Sequence, residues 1–247
     1  MCTVTYLPKG KDAFILTSNR DESPLRSAVE PQIDQVGAYQ VLYPKDPLAG
    51  GTWICTAEDN RLICLLNGAF VKHERTPPYR RSRGLIVLDF FRYENAEEFL
   101  VQCDLDNIEP FTLVIYDNQQ LIELKWDGNQ KHIRRLDNQQ PHIWSSATLY
   151  PANIAQKRSS WFDEWLQKTA ATDFTANNIT HFHRTGGDGD SFNDLVMNRF
   201  GIVKTVSISC VEKKANRIIM THHDLLHDKT TQQQLAIKKT RQLVEKA

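Results

Sequence analysis

The stretch AFILTSNRDESP, Ala13 to Pro24, begins as a core strand and ends in an amide followed by three charges, Asn19, Arg20, Asp21 and Glu22. Its β-branched and apolar start reads as buried β-structure, and Pro24 stops any regular continuation. The segment just upstream, CTVTYLP from Cys2 to Pro8, has the same character, and Lys9-Gly10-Lys11 separates the two. Together they read as a β-hairpin. A two-residue turn at Gly10 and Lys11 pairs Cys2 with Asn19, whereas a three-residue turn pairs it with Arg20. In either register the second residue of the chain lies about one strand spacing, ~4.8 Å, from the polar cluster.

Outward from this hairpin, short strand-like segments recur: GTWICTA, RLICLL, FTLVIYD, QLIELKW, KHIRRL, HIWSSA, TVSISCV and RIIMTH. They are bounded by Gly, Asn, Asp or Pro signals. Asp59-Asn60 forms a two-residue turn that sets Cys55 directly opposite Cys64 and places Asn67 on the face of Ile63 and Leu65. Helical segments fall in blocks. The first spans residues 82 to about 103 and is divided by a capping box at Asn95 and Glu98. The second comprises ANIAQKRSSWFDEWLQK and TANNITHFHR, and QQQLAIKKTRQLVEK reads as a final helix carrying Leu235, Ile237 and Leu243. Hairpins with helices inserted in blocks predict an α+β fold of mainly antiparallel sheets covered by helices.

At 247 residues the chain is long enough for one large core, and no linker, repeat or composition shift divides it, so residues 1–247 read as one domain. Thirty basic and thirty acidic residues cancel, so no basic field draws the protein to nucleic acid, and a small-molecule partner fits better. No apolar run approaches the ~20 residues of a membrane span, and the N-terminal segment lacks the pattern of a signal peptide. A cytoplasmic protein is expected. The five cysteines, Cys2, Cys55, Cys64, Cys103 and Cys210, show no CxxC spacing, which argues for reduced thiols over a disulfide scaffold or zinc ribbon.

Cys2 carries a specific chemical possibility, because Met1 is readily trimmed before a small side chain. The residue then holds both a thiol and a free α-amine, which with a pKa of roughly 8 can serve as general base for its own side chain. Arg20 supplies a cation that favours the thiolate, and Asp21 a carboxylate that holds the amine. The alternative is a small edge-strand hydrophobe beside an ion-paired turn.

The motifs MCTVTYLP, TSNRDE, AGGTWI and LLNG, in this order, resemble the NRDE family, named for that tetrapeptide and including the eukaryotic transport and Golgi organisation proteins. The resemblance implies membership of the N-terminal nucleophile hydrolase superfamily, with a four-layer αββα sandwich. Cysteine members of that superfamily, such as penicillin V acylase and bile salt hydrolase, cleave non-peptide linear amides. Carried over residue by residue, it makes Cys2 the nucleophile, Asp21 the carboxylate near its amine and Asn67 an oxyanion donor, with Asn19 and Arg20 completing the catalytic cluster. Gly51, Trp53, Ser146 and Lys204 become substrate-binding candidates, Gly51 either offering a backbone N–H or shaping the loop before Trp53. Three positions depart from the pattern. Ser18 stands where acylases have an arginine, Ser145-Ser146 where many relatives have an asparagine, and Lys204 where relatives carry an arginine, keeping the charge but losing the planar fork.

Other features carry less. His181 and His183 are two apart on a helix and do not share a face, so no metal is expected there. His222 and His223 alternate along a strand. Arg75, Arg80, Arg81 and Arg83, with His73, form either an anion-recognition patch or a solvated loop. No glycine-rich phosphate loop follows a strand, and no cofactor is called for. The reading is an N-terminal cysteine amidohydrolase acting on a small non-peptide amide through a thioester on Cys2. Its rival is a hydrolase-like protein that binds or traffics a hydrophobic metabolite, such as haem or an acyl compound, without turnover.

Overall fold

The structure, a computed structural model, describes residues 3–10 and 12–238. Strand β1 (Thr3–Pro8) pairs antiparallel with β2 (Phe14–Glu22), with Thr3 opposite Asn19 and Pro8 opposite Phe14. This is the register of the longer of the two expected turns, and Gly10 and Asp12 adopt φ of 86° and 61° within it. Cys2 lies outside the described residues.

The chain continues through β3 (Val29–Val36), β4 (Tyr39–Lys45), β5 (Ile54–Ala57) and β6 (Leu62–Asn67) to helices α1 (Arg83–Asp89) and α2 (Ala96–Gln102), with a 3-10 turn at Phe90–Arg92 between them. Strands β7 (Phe111–Asp117), β8 (Gln120–Trp126), β9 (Lys131–Leu136) and β10 (His142–Ser145) precede helices α3 (Ala152–Lys168) and α4 (Ala176–Thr185). Strands β11 (Asn198–Arg199), β12 (Val203–Lys213), β13 (Arg217–Asp224) and β14 (Lys229–Ala236) follow.

Two antiparallel sheets result. One is the meander β3 to β9; the other runs β10-β1-β2-β12-β13-β14, with β11 on β12. The N-terminal hairpin therefore sits inside its sheet, between β10 and β12. Both of its faces are buried, which explains why AFIL shows no polar alternation. Val4, Tyr6, Phe14 and Leu16 join the core that reaches into the second sheet. Leu7 and Ile15 face the other way, against Phe162 of α3 and Ile179 and Phe182 of α4. On the second sheet α1 contacts β5 and β6 and contributes Ile86 and Val87 to the core, while Phe99 of α2 stacks edge-on against Phe90. The architecture is the expected α+β sandwich of layers α, β, β and α. The split at Asn95 also holds, since its side chain accepts the Glu98 N–H at 2.9 Å.

Two expectations are corrected, and one hairpin was not anticipated. The β5–β6 turn has one more residue than Asp59-Asn60, with Ala57 N–H donating to Arg61 O and Asn60 at φ 78°. Cys55 consequently faces Ile63, Ile54 faces Cys64, and the two thiols point to opposite faces of the sheet. The segment read as a C-terminal helix is instead β14 as far as Ala236, paired along its length with β13, where Leu235 meets Ile218 in the core; residues 239–247, including Leu243, lie outside the described residues. The β3–β4 hairpin had no sequence signal strong enough to register, because EPQIDQV is polar and contains Pro31; β3 is an edge strand, where a proline is tolerated. Among the described residues no helix is long and apolar enough to cross a membrane.

Candidate functional site

The alternation of β2 splits the tetrapeptide between two faces. Asn19 and Asp21 point toward the helix layer, whereas Arg20 points into the space bounded by the second sheet.

On the helix side, the Asn19 amide donates to the carbonyls of His183 (3.2 Å) and Leu195 (2.7 Å). That fixes its orientation, so its Oδ1 is the acceptor facing His183 Nδ1 at 2.6 Å. His183 must therefore carry its proton on Nδ1, and Nε2 accepts from the Thr5 hydroxyl at 2.8 Å. Burial, reinforced by the nearby Arg158 cation, pushes His183 down to about 3, so the ring is neutral. Two residues along, Asp21 Oδ2 accepts from Tyr150 Oη at 2.7 Å and Oδ1 from Thr205 Oγ1 at 2.5 Å. Thr205 reaches Asp21 because β12 carries an extra residue, Val206, between the pairs Thr205–Asp21 and Ser207–Arg20. Arg158, fully buried, donates to Thr3 Oγ1 at 2.5 Å and lies over the Tyr150 ring.

On the opposite face, Arg20, Gly51, Trp53 and Asn67 converge on a cleft of about 90 Å³, together with Arg26 and Arg83. Arg20 donates to Arg26 O (2.7 Å) and to Asp46 Oδ2 (3.3 Å), and its guanidinium sits 4.9 Å from the Trp53 ring centroid. Burial depresses this guanidinium below its ordinary range, an effect partly offset by the carboxylates of Glu22 and Asp46. Asp46 also pairs with Arg26 at 2.8 Å and accepts the Leu48 and Ala49 N–H groups, so the cleft wall is cross-linked by charge. Gly51 packs backbone to backbone against Gly84: an added Cβ would lie 2.5 Å from the Gly84 carbonyl oxygen. Its lack of a side chain is needed for that contact.

The remaining candidates sit elsewhere. Ser146 is buried and donates to the Asn67 carbonyl at 2.8 Å, with Thr148 Oγ1 at 3.0 Å, so it anchors the strand bearing Asn67 and does not line the cleft. Lys204 is half-buried opposite Glu22 on β12 and is also absent from the lining. In the arginine loop, His73, Arg75 and Arg83 all engage Glu109, while Arg80 pairs with Asp104 and Arg81 with Asp89. These cations are spent on acidic neighbours. Burial pushes the thiols of Cys64 and Cys210 up to about 12 and about 11, and raises Cys55 and Cys103 as well. Among the described residues no group of three or more His, Cys, Asp or Glu is arranged to hold a metal ion.

Sequence reasoning missed Tyr150, Arg158, His183 and Thr205 as neighbours of the tetrapeptide. Tyr150 and Asp21 are separated by 129 positions, and no local spacing signals their contact.

A family model described as Transport and Golgi organisation 2 matches residues 1–185. Two solved forms of conjugated bile acid hydrolase from Clostridium perfringens, an arginine-to-leucine variant and a cysteine-to-alanine mutant, superpose with TM-scores of 0.62 and 0.63. Their identities to this chain are 11% and 10%, and 97% of each chain is covered. The Caenorhabditis elegans ortholog of N-acylethanolamine-hydrolyzing acid amidase superposes with a TM-score of 0.50 at 12% identity, covering 85% of this chain and 92% of that one. The curated proteins gave no match. At such identities the likeness is one of fold, the sandwich of the N-terminal nucleophile hydrolases.

Proposed function

We propose, from the premise that this chain belongs to the Transport and Golgi organisation 2 family, that it hydrolyses a small non-peptide linear amide with Cys2 as nucleophile. The observation that carries the reading is the convergence of Arg20 and Asn67 on one cleft beside the hairpin end that starts at Thr3. Cys2 is peptide-bonded to Thr3, so its Cα is about 3.8 Å from that of Thr3.

Removal of Met1 frees the α-amine, which takes the thiol proton as Sγ attacks the amide carbon. Asn67 donates to the oxyanion, a contribution typically of about a hundredfold to a thousandfold in rate. Collapse breaks the C–N bond, and the ammonium of Cys2 returns its proton to the leaving nitrogen. Water then adds to the thioester, giving its proton to the same amine, and the acid departs as the thiol is restored. Asp21 holds the ammonium, and Arg20 favours the thiolate. Gly51 and Trp53 form the wall against which the substrate rests.

Intact mass establishes whether Met1 is removed, and a panel of N-acyl amino acids and N-acyl amines tests turnover against Cys2→Ala. Turnover lost by about a thousandfold or more in Cys2→Ala is the expected result. A processed protein inactive on the whole panel, or a Cys2→Ala variant that retains activity, sinks the reading. One observation favours the rival, non-catalytic reading. Ser146 and Lys204 do not line the cleft, so two anticipated substrate contacts are missing. Retention of haem or a fatty acyl compound, undiminished in Cys2→Ala and without turnover, would decide for it.

A further inference from the structure

We infer that Arg158 and Tyr150 are positioning residues for the Cys2 site, acting from the helix face of the sheet on both Thr3 and Asp21. This rests on the reading of Cys2 as nucleophile. Arg158 projects from the middle of α3 and is 0% exposed. Its donors are directed to Thr3 Oγ1 (2.5 Å), Asn193 O (3.0 Å) and Asp194 O (2.6 Å), and its guanidinium carbon lies 3.5 Å from the Tyr150 ring centroid. Among the described residues no carboxylate is within ion-pairing range of it. A cation shielded from bulk solvent without a carboxylate partner is costly to bury, and the π face of Tyr150 offsets part of that cost.

At the other end of the same ring, the phenol hydroxyl donates to Asp21 Oδ2 at 2.7 Å, while Thr205 Oγ1 holds Oδ1 at 2.5 Å. The guanidinium thus lies against the ring face and the Asp21 carboxylate at the ring's hydroxyl tip. Donors from Tyr150 and Thr205 on its two oxygens fix how the carboxylate is turned. One guanidinium therefore orders the residue bonded to the nucleophile and, through Tyr150, the carboxylate that would face the nucleophile's amine. Neither Arg158 nor Tyr150 lines the Arg20 cleft, so both act through other residues.

The test is the rate of Cys2 alkylation by limiting iodoacetamide between pH 5 and 10, mapped by mass spectrometry in the processed protein. Tyr150→Phe removes a single oxygen and keeps the ring; Arg158→Met removes the charge. Each is expected to move the midpoint upward by about half a pH unit or more, roughly a threefold loss of thiolate below it. Phe162→Leu, one turn along α3 in the apolar layer, weakens packing without touching this network and is expected to leave the midpoint in place. Should Arg158→Met fail to fold, Tyr150→Phe alone decides. Variant midpoints that coincide with the parent's, or a Phe162→Leu shift as large as theirs, overturn the inference while leaving the nucleophile intact. A parent protein whose Cys2 reacts no faster than Cys55, Cys64, Cys103 and Cys210 overturns both.

Discussion

Asn19 shows how one side chain can be diverted from the role its position implies. Its amide is consumed by two carbonyls and His183, which makes it a strut between β2 and α4. The price of that strut is a buried neutral imidazole. His183 is pushed down to about 3 in the fold, whereas in the unfolded chain it takes up a proton near ~6.5. Between those values the unfolded state binds more protons, so this contribution to stability is complete above ~6.5 and is lost as pH falls toward 3. His222, pushed down to about 4 by burial, acts in the same sense. His183→Gln is therefore expected to cost about 1–3 kcal/mol at pH 7 through its buried hydrogen bonds, yet to lose stability less steeply on acidification. Urea midpoints at pH 7, 5.5 and 4 measure both; a variant as pH-sensitive as the parent would show that His183 is not the titrating group. At the same scale Gly51→Ala forces carbon into the Gly84 backbone, and a loss of about 1–3 kcal/mol, or roughly 2–10 °C in Tm, is expected by calorimetry. An unchanged Tm would mean that the loop yields freely.

Among the elements, β14 offers the sharpest contrast between two readings of one segment. Leu235 and Ile237 suit an amphipathic helix in isolation, but pairing with β13 places Leu235 in the core, opposite Ile218. Hydrogen exchange separates the two forms. An edge strand protects alternate amides between residues 229 and 236, whereas a helix would protect a continuous run, which would refute the strand. What was legible in the sequence was local: the β1–β2 hairpin, the Asn95 cap, and the strand character of TVSISCV and RIIMTH. What was not legible depended on partners far along the chain. No sequence signal distinguishes the turn lengths that set Thr3 against Asn19 and Cys55 against Ile63, because a left-handed Asp12 or Asn60 is tolerated and not demanded. The cleft members Arg20, Gly51, Trp53 and Asn67 were visible as motifs, whereas Tyr150 and Arg158 become neighbours of the tetrapeptide only once α3 packs on the sheet.

At the scale of the whole molecule, β2 is shared property. Leu16 belongs to the core between the sheets and Ile15 to the core beneath α3 and α4, so neither layer can open without exposing the other's partner. Cys64 reports on the first core and Cys210 on the second, and burial pushes both thiols far above neutral pH. Their labelling in increasing urea is expected to follow one common slope. If Cys210 reacts at lower urea than Cys64, the α3–α4 layer detaches first and the two cores are energetically separate. A single inserted residue also has a consequence for how this sandwich can change. Upstream of Val206, β12 presents Thr205 to Asp21; downstream, Ile208 and Cys210 share the face on which Thr205 lies, although odd and even positions would ordinarily part company. The strand is in effect written in two reading frames with the break at Val206. Replacements before the break change what meets the carboxylate and those after it change what fills the core, so chemistry and packing can drift independently along one continuous strand.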